Sequence, residues 1–284
     1  MACWAPGFGK VTPKRLVFGQ MNAATIAQGI VRRFYEEDLS DATRARLSSF
    51  QDDACLYAGD AGGDETDDQV IGELYKVWCD YLDMCVKRNI TLSPGKTHIG
   101  YETAEIYGHE VDKNGHRQLE NNLDTIAKCA PPENTKELRS VLGMFVQGMH
   151  RIKDYAVKAR ELHGLLRKDV EWDWTPECAD AFNTLKKELL ARPFLHAPNF
   201  REKLYLSTDA SDDGKGAVLW QRGKDGGMRV ISWYSKAWTP AMRARPVYYR
   251  EAEALYWGIG KVKFYAQAAD HTLTVLTDQQ PLRW

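Results

Sequence analysis

Apolar residues recur at helical spacing in five parts of the chain. Steps of three and four residues, as in Leu74, Trp78, Leu82 and Cys85, indicate one face of an amphipathic helix. A Thr66–Gln69 capping box is predicted at the start of the first helix. The pattern predicts helices over about residues 67–88, 134–149, 155–167, 176–192 and 249–264.

Short runs of β-branched and aromatic residues between Gly- and Asp-rich turns predict strands. Residues 45–58 are expected to form two short strands around a turn at Asp52-Asp53, and residues 97–112 two more. Near the end of the sequence, three strands, a helix and a further strand indicate an α/β domain with a mixed sheet. Its strands are predicted at residues 204–208, 216–221, 229–234 and 272–277.

Charge changes the picture only slightly. The net charge is −1, but residues 1–135 carry 14 Lys and Arg against 21 Asp and Glu, whereas residues 136–284 carry 24 against 18. The basic second half is compatible with a phosphate-rich partner, and the acidic half with metal-binding carboxylates. Two ordinary solvated surfaces explain the same asymmetry, so charge alone does not decide the function.

The sequence also predicts the compartment. Six cysteines form neither a CxxC pair nor a Cys/His cluster with zinc spacing, so they are interpreted as reduced thiols of an intracellular protein. Pro6, Gly7 and Gly9 interrupt any signal-peptide core, so secretion is not expected. No stretch approaches eighteen unbroken apolar residues, and therefore no membrane partner is predicted.

Three carboxylates in the last domain are the main chemical candidates. Asp209 ends its first predicted strand, Glu253 lies in the first turns of its helix, and Asp278 ends its fourth strand. Such positions can converge at one edge of an α/β sheet. Two like charges about 4 Å apart cost on the order of 4 kcal/mol at an effective dielectric near 20. A convergent trio would therefore need a cation such as Mg²⁺, whereas position alone favours three unrelated surface acids.

The surrounding residues resemble a known family. The segments LSTDASDDGKGAVLWQ (206–221), YYREAEALYWGIGKVKFY (248–265) and TVLTDQQPLRW (274–284) are similar to the RNase H domain of gypsy-type LTR retrotransposon polyproteins. ELRSVLG (137–143) and the pattern from Trp174 to Lys186 resemble the family's connection. Upstream, FGQMNA (18–23) with Gln28, FQDD (50–53), Pro94 with Lys96, and YGH (107–109) resemble its polymerase motifs in the same order.

The resemblance implies an RNase H activity for the last domain. Asp209, Glu253 and Asp278 would hold two Mg²⁺ ions, or Mn²⁺, that cut the RNA strand of an RNA–DNA hybrid. The family's E–x–L spacing with Leu255 favours Glu253 over Glu251, which is expected to be solvated.

The resemblance also implies a role in RNA-directed DNA synthesis. Asp52 and Asp53 would bind two Mg²⁺ ions that position a dNTP and the primer end. The expected partners are an RNA template, a DNA primer, and an integrase and protease from the same polyprotein, in a cytoplasmic virus-like particle or the nucleus. Residues expected at the nucleotide or nucleic acid are Phe18, Gly19, Phe50, Gln51, Lys96, Tyr107 and Gly108.

The expected fold class is α/β and α+β multidomain. A partial reverse transcriptase palm is predicted at residues 1–115, a helical thumb or connection at 116–198 and an RNase H-like mixed-sheet domain at 199–284. Compared with the family, a palm aspartate and the fingers before Phe18, and a fourth RNase H aspartate after Trp284, are absent, so this chain alone is expected to polymerise weakly or not at all. The alternative is a catalytically inert, degenerate or domesticated fragment that at most binds nucleic acid.

Overall fold

A computed structural model describes residues 3–5, 7, 9–11, 21–60 and 65–278 of the chain. The chain divides into two compact units, residues 1–101 and residues 102–284. Phe18 and Gly19 lie outside the described residues. The expected domain boundaries at residues 115 and 198 stay predictions. None of the helices in the described part of the chain is long and apolar enough to cross a membrane.

The first unit is built from helices and two short hairpins. Its helices are α1 (Ala23–Asp38), α2 (Asp41–Ala45) and α3 (Asp67–Lys87), and its strands are β1 (Cys3–Ala5), β2 (Gly9–Val11), β3 (Leu47–Phe50) and β4 (Asp53–Leu56). Helix α3 begins at the predicted capping box, in which Thr66 and Gln69 each bond the other's backbone N–H. Buried residues of α1 and α3, including Tyr35, Tyr81 and Met84, form the core of this unit.

The second unit contains an antiparallel sheet that only partly follows the sequence prediction. Its four strands, in the order β5-β6-β7-β8, are β5 (Ala104–Ile106), β6 (His109–Asp112), β7 (Gly115–Gln118) and β8 (Leu195–His196). The strand expected from residue 97 begins only at Ala104. Strands β7 and β8 were not predicted. Strand β8 has only two residues, and it pairs with β7 from a distant part of the sequence.

Five α-helices lie between β7 and β8 in the sequence. They are α4 (Glu120–Lys128), α5 (Thr135–Val146), α6 (Tyr155–Lys158), α7 (Arg160–Gly164) and α8 (Pro176–Leu190). The prediction of a single helix over residues 155–167 is wrong. The segment is divided at the buried Ala159 into α6, which packs against α8 and strand β11 (Met228–Ala237), and α7, which packs against α8. Helices α5 and α8 are capped at their N-termini by Asn134 and Thr175, as predicted.

The predicted mixed sheet is confirmed in the second unit. Its order is β11-β10-β9-β12, with β9 (Tyr205–Ala210), β10 (Gly214–Arg222) and β12 (Thr274–Leu276). Strands β9, β10 and β11 are antiparallel, whereas β12 runs parallel to β9. Helix α10 (Val247–Ala268), preceded by the short α9 (Pro240–Arg243), packs on β9 and β10. Leu206, Leu219 and Val262 are fully buried between the helix and the sheet.

Candidate nuclease site

Asp209 lies near the carboxyl end of the central strand β9. Leu206 and Thr208 point into the core, and the alternation of a strand leaves the Asp209 side chain exposed. Its cross-strand partner on β10 is Gly216, where a Cβ atom would lie 3.0 Å from Oδ1 of Asp154. The strand therefore presents Asp209 as an exposed carboxylate at the carboxyl end of β9.

Asp278 lies beyond the end of the neighbouring parallel strand. The register pairs Val275 with Leu206 and Leu276 with Ser207. Asp278 follows Leu276 by two residues, as Asp209 follows Ser207, and the Asp278 side chain is exposed. Two of the three predicted acids thus come from adjacent parallel strands at the same edge of the sheet.

Glu251 is the glutamate that the structure brings to these aspartates. It is only 4% exposed, so the expectation that it is solvated is wrong. Burial is the main cause that raises the pKa of the Glu251 carboxyl group, and the charges of Asp278 and Asp209 raise it further. The backbone N–H of Ala210 donates a hydrogen bond to this carboxylate, which fixes it against the end of β9.

The period of α10 explains this placement. The residues of α10 that face the sheet recur every three or four positions and include Glu251, Ala254, Gly258 and Val262. Glu253 lies on a different side of the helix, where its carboxylate forms a 2.6 Å ion pair with the Nζ atom of Lys215. The helical period of the buried residues was therefore the signal in the sequence that could have identified Glu251.

A divalent cation is compatible with the residues at this edge. Within the described ranges, no three His, Cys, Asp or Glu side chains are already arranged as a metal-binding group. However, the Oε2 atom of Glu251 is buried without a hydrogen-bond partner in the described part of the chain. A buried acceptor beside two further carboxylates is unfavourable unless a cation or proton compensates for it.

The second pair of predicted acids lies in the first unit, in the hairpin of β3 and β4. Phe50 pairs with Asp53 across the strands, so the turn consists of Gln51 and Asp52 rather than of the two aspartates. Gln51 has a left-handed backbone with φ of 56°, and its N–H donates to the side-chain oxygen of Gln28 on α1. Asp52, Asp53 and Phe50 are exposed, and no metal-binding group was found around them among the described residues.

The remaining predicted contact residues lie in turns. Lys96 is exposed at the end of a single 3₁₀ turn, Pro94–Lys96. Tyr107 and Gly108 connect β5 with β6, and both have left-handed backbones, with φ of 50° and 79°. The Leu119 N–H donates to the Gly108 carbonyl oxygen at 3.4 Å, which gives this turn a structural role in the sheet. The proposed contacts of these three residues with nucleic acid stay predictions.

A buried arginine joins two histidines beside this turn. Arg151 is 5% exposed, and its Nη2 atom lies 3.1 Å from Nδ1 of His109 and 2.7 Å from Nδ1 of His116. Burial lowers the pKa of Arg151 to about 10. Burial, followed by the charge of Arg151, lowers the pKa of His116 to about 4. Both imidazoles therefore accept hydrogen bonds from Arg151 in their neutral forms.

This cluster predicts a loss of stability in mild acid. The unfolded histidine takes up its proton near pH 6.5, whereas folded His116 does so only near pH 4. The stabilisation is thus complete above about pH 6.5 and is lost as the pH falls towards 4, by about 2 kcal/mol after allowance for partial solvent screening. Urea unfolding of wild type and His116→Asn at several pH values measures the difference, with the exposed His271→Asn as the control. Equal pH dependence of wild type and His116→Asn would contradict the assignment.

Comparison with known proteins supports the retrotransposon resemblance. Residues 174–275 match the family model of the RNase H-like domain found in reverse transcriptase. The Tf2-3 and Tf2-4 transposon polyproteins of Schizosaccharomyces pombe are each 28% identical over 203 residues, which is 72% of this chain and 15% of each polyprotein. The resemblance to gypsy-type retrotransposon polyproteins is confirmed.

Solved structures support the fold of the chain in the same way. A foamy viral protease-reverse transcriptase with double-stranded DNA superposes with a TM-score of 0.75 at 17% identity, covering 94% of this chain and 44% of that one. A foamy viral protease-reverse transcriptase in complex with an RNA/DNA hybrid gives a TM-score of 0.71 at 17% identity, covering 94% of this chain and 34% of that one. The residues matched by the RNase H-like family model run from the start of α8 through β8–β11 and α10 into β12. The matched segment includes Asp209 and Glu251 and ends before Asp278.

Proposed function

We propose that the RNase H-like domain cuts the RNA strand of RNA–DNA hybrids in a divalent-metal-dependent hydrolysis. The observation that carries this proposal is the buried carboxylate of Glu251, whose pKa is raised by burial and further by the charges of Asp278 and Asp209. Because the chain spans about 15% of the length of the curated polyproteins it matches, this activity is proposed only for the domain that contains these acids.

In this proposal, Asp209, Glu251 and Asp278 hold Mg²⁺, and Mn²⁺ is an alternative. Glu251 takes the place that the E–x–L spacing gave to Glu253. The chemistry supplied by two bound cations is activation of water and stabilisation of the leaving oxygen. The chain contributes the placement of its carboxylates: the Ala210 N–H orients Glu251, and the ends of two parallel strands hold the aspartates.

The proposed substrate follows from both the surface and the relatives. Residues 136–284 carry 24 Lys and Arg against 18 Asp and Glu, which suits a phosphate backbone. A structural relative was solved in complex with an RNA/DNA hybrid. Selection of the RNA strand would rest on the 2′-hydroxyl group and the shape of the hybrid rather than on base sequence.

Substitution of Asp209 tests the proposed activity. We expect purified wild-type chain to cut a labelled hybrid only with Mg²⁺ or Mn²⁺, and Asp209→Asn to lose this cutting because it removes one negative ligand. Asp270→Asn is the matched control, since Asp270 is an exposed aspartate of the same domain located after α10. Undiminished cutting by Asp209→Asn would remove the proposed site, and hybrid binding without cutting by wild type would favour the inert-fragment alternative.

The first unit supports a second, more limited proposal. Its β3–β4 hairpin carries Asp52 and Asp53 as two exposed carboxylates on a turn held by Gln28. We propose that this unit is part of a polymerase palm in a longer polyprotein, with a template, a primer and a dNTP as its partners. The strong fold similarity to the foamy viral reverse transcriptases supports this proposal.

A further inference from the structure

Lys215 is a buried lysine located next to the proposed nuclease site. Its side chain is 4% exposed, and its Nζ atom lies 2.6 Å from Glu253 Oε1. The same Nζ atom lies 5.2 Å from the ring centre of Trp238 and 5.0 Å from that of Trp257. We refer to Lys215, Glu253, Trp238 and Trp257 as the Lys215 cluster.

The Lys215 cluster joins helix α10 to the strand beside the candidate site. Lys215 lies directly opposite Ala210 in the β9–β10 register, and the Ala210 N–H donates to Glu251. Glu253 is two residues beyond Glu251 on the helix. The cluster and the Ala210 hydrogen bond therefore attach adjacent parts of α10 to adjacent residues of the strand pair.

A third attachment lies at the residue preceding Glu251. Arg250 donates to the Ser211 carbonyl oxygen at 3.2 Å and forms a 2.8 Å ion pair with Asp212. Trp238 of the cluster also donates, through Nε1, to the Ser211 carbonyl oxygen at 2.9 Å. Residues 250, 251 and 253 thus each contact the loop or the strand ends around Asp209. These contacts restrain the rotation of the helix about its axis and its position along that axis.

Stability alone gives no clear reason for this ion pair. Removal of the Lys215 ammonium group from water is costly, and the Glu253 side chain is 36% exposed, so solvent weakens the attraction between them. Replacement of such a pair by apolar residues is often neutral. The specific consequence of the pair is geometric, since it permits only those positions of α10 in which Glu253 reaches Lys215.

We propose that Lys215 is a positioning residue that, through Glu253 and the two tryptophans, holds the Glu251 carboxylate in register with Asp209 and Asp278. This inference rests on the proposed function of the three carboxylates. Lys215 itself does not contact the reacting groups in this proposal.

A double substitution separates positioning from stability. Lys215→Met removes the charge and leaves Glu253 unpaired, whereas Lys215→Met with Glu253→Met replaces the whole pair by apolar side chains. We expect the double variant to keep the unfolding stability of wild type but to lose about tenfold in kcat, with the KM for the hybrid changed by less than about twofold, as for residues that orient a metal ligand. Recovery of wild-type kcat together with stability would reduce Lys215 to a structural role and overturn the proposal.

Amide hydrogen exchange of the metal-free full chain provides the second readout. We expect exchange in residues 247–254 of the double variant to be about tenfold faster, relative to residues 216–221 of β10, because only the local attachment is weakened. Unchanged relative exchange would overturn the proposal. The exchange measurement tests the inference even if wild type cuts no hybrid, so failure of the proposed function and failure of this inference are distinguishable.

Lys261→Met is the matched control for both readouts. The Nζ atom of Lys261 also lies near Trp257, 5.8 Å from its ring centre, but Lys261 is exposed. We expect this variant to match wild type in kcat and in relative exchange. Equal effects of Lys261→Met and the double variant would assign the change to Trp257 alone and contradict the role of the ion pair.

Discussion

Glu251→Gln is expected to lower hybrid cleavage by on the order of a thousandfold. Metal activation contributes several kcal/mol, and about 1.4 kcal/mol corresponds to a factor of ten in rate. The amide keeps the size of the side chain and its buried position between α10 and the end of β9, but it removes the negative charge beside Asp209 and Asp278. Single-turnover cleavage of a labelled hybrid at saturating Mg²⁺ measures the loss.

Glu253→Gln is the comparison that distinguishes the two glutamates. Its carboxylate pairs with Lys215, so its neutralisation should cost only about tenfold, as expected for a residue that orients a metal ligand indirectly. Both variants should retain the fold, which near-ultraviolet circular dichroism can verify. A reversal, with a large loss in Glu253→Gln and a small one in Glu251→Gln, would restore the assignment based on E–x–L spacing.

Gly258→Leu is expected to destabilise the second unit by about 3 kcal/mol through overpacking. A Cβ atom at this position would lie 2.9 Å from Thr208 Cγ2 and 3.3 Å from Ala217 Cβ, so even the first added carbon forces the helix away from the sheet. Urea unfolding measures the change in the free energy of unfolding. Because α10 carries Glu251, cleavage should also fall in the fraction of protein that stays folded.

Gly260→Leu is the control for this substitution. A Cβ atom at Gly260 meets no atom within 4 Å, on the same helix and only two residues away. The gain in helix propensity should stabilise this variant by about 0.5–1 kcal/mol. Similar stability of the two leucine variants would contradict the close packing of α10 on β9 and β10.

Much of the fold could be predicted because its signals are local. The capping box at Thr66, the N-caps Asn134 and Thr175, and the alternation in β9 each depend on a few neighbouring residues. Helix α1 was not predicted, although Val31, Phe34 and Tyr35 pack one side of it against the core of the first unit. Strand β8 was missed because two residues give no periodicity, and its pairing with β7 is determined by the packing of the whole unit.

The candidate site could be predicted only in part, because local sequence signals determine only some of its residues. Asp209 and Asp278 follow directly from strand ends, whereas the choice of glutamate depends on the side of α10 that packs on the sheet. The spacing to Leu255 pointed to Glu253, but Ala254, Gly258 and Val262 define a buried stripe that contains Glu251. The burial of Lys215 could not be predicted, since it depends on two tryptophans that are distant in the sequence.

A crystal structure of this chain grown with Mn²⁺ would identify the carboxylates that bind the cation. Anomalous scattering locates the ion without reference to the fold. We expect a peak bound by carboxylate oxygens of Asp209, Glu251 and Asp278, with Glu253 still paired to Lys215. A well-ordered sheet edge at which Mn²⁺ is bound by Glu253 instead of Glu251, or at which Glu251 stays buried while saturating Mn²⁺ leaves no peak, would contradict this expectation.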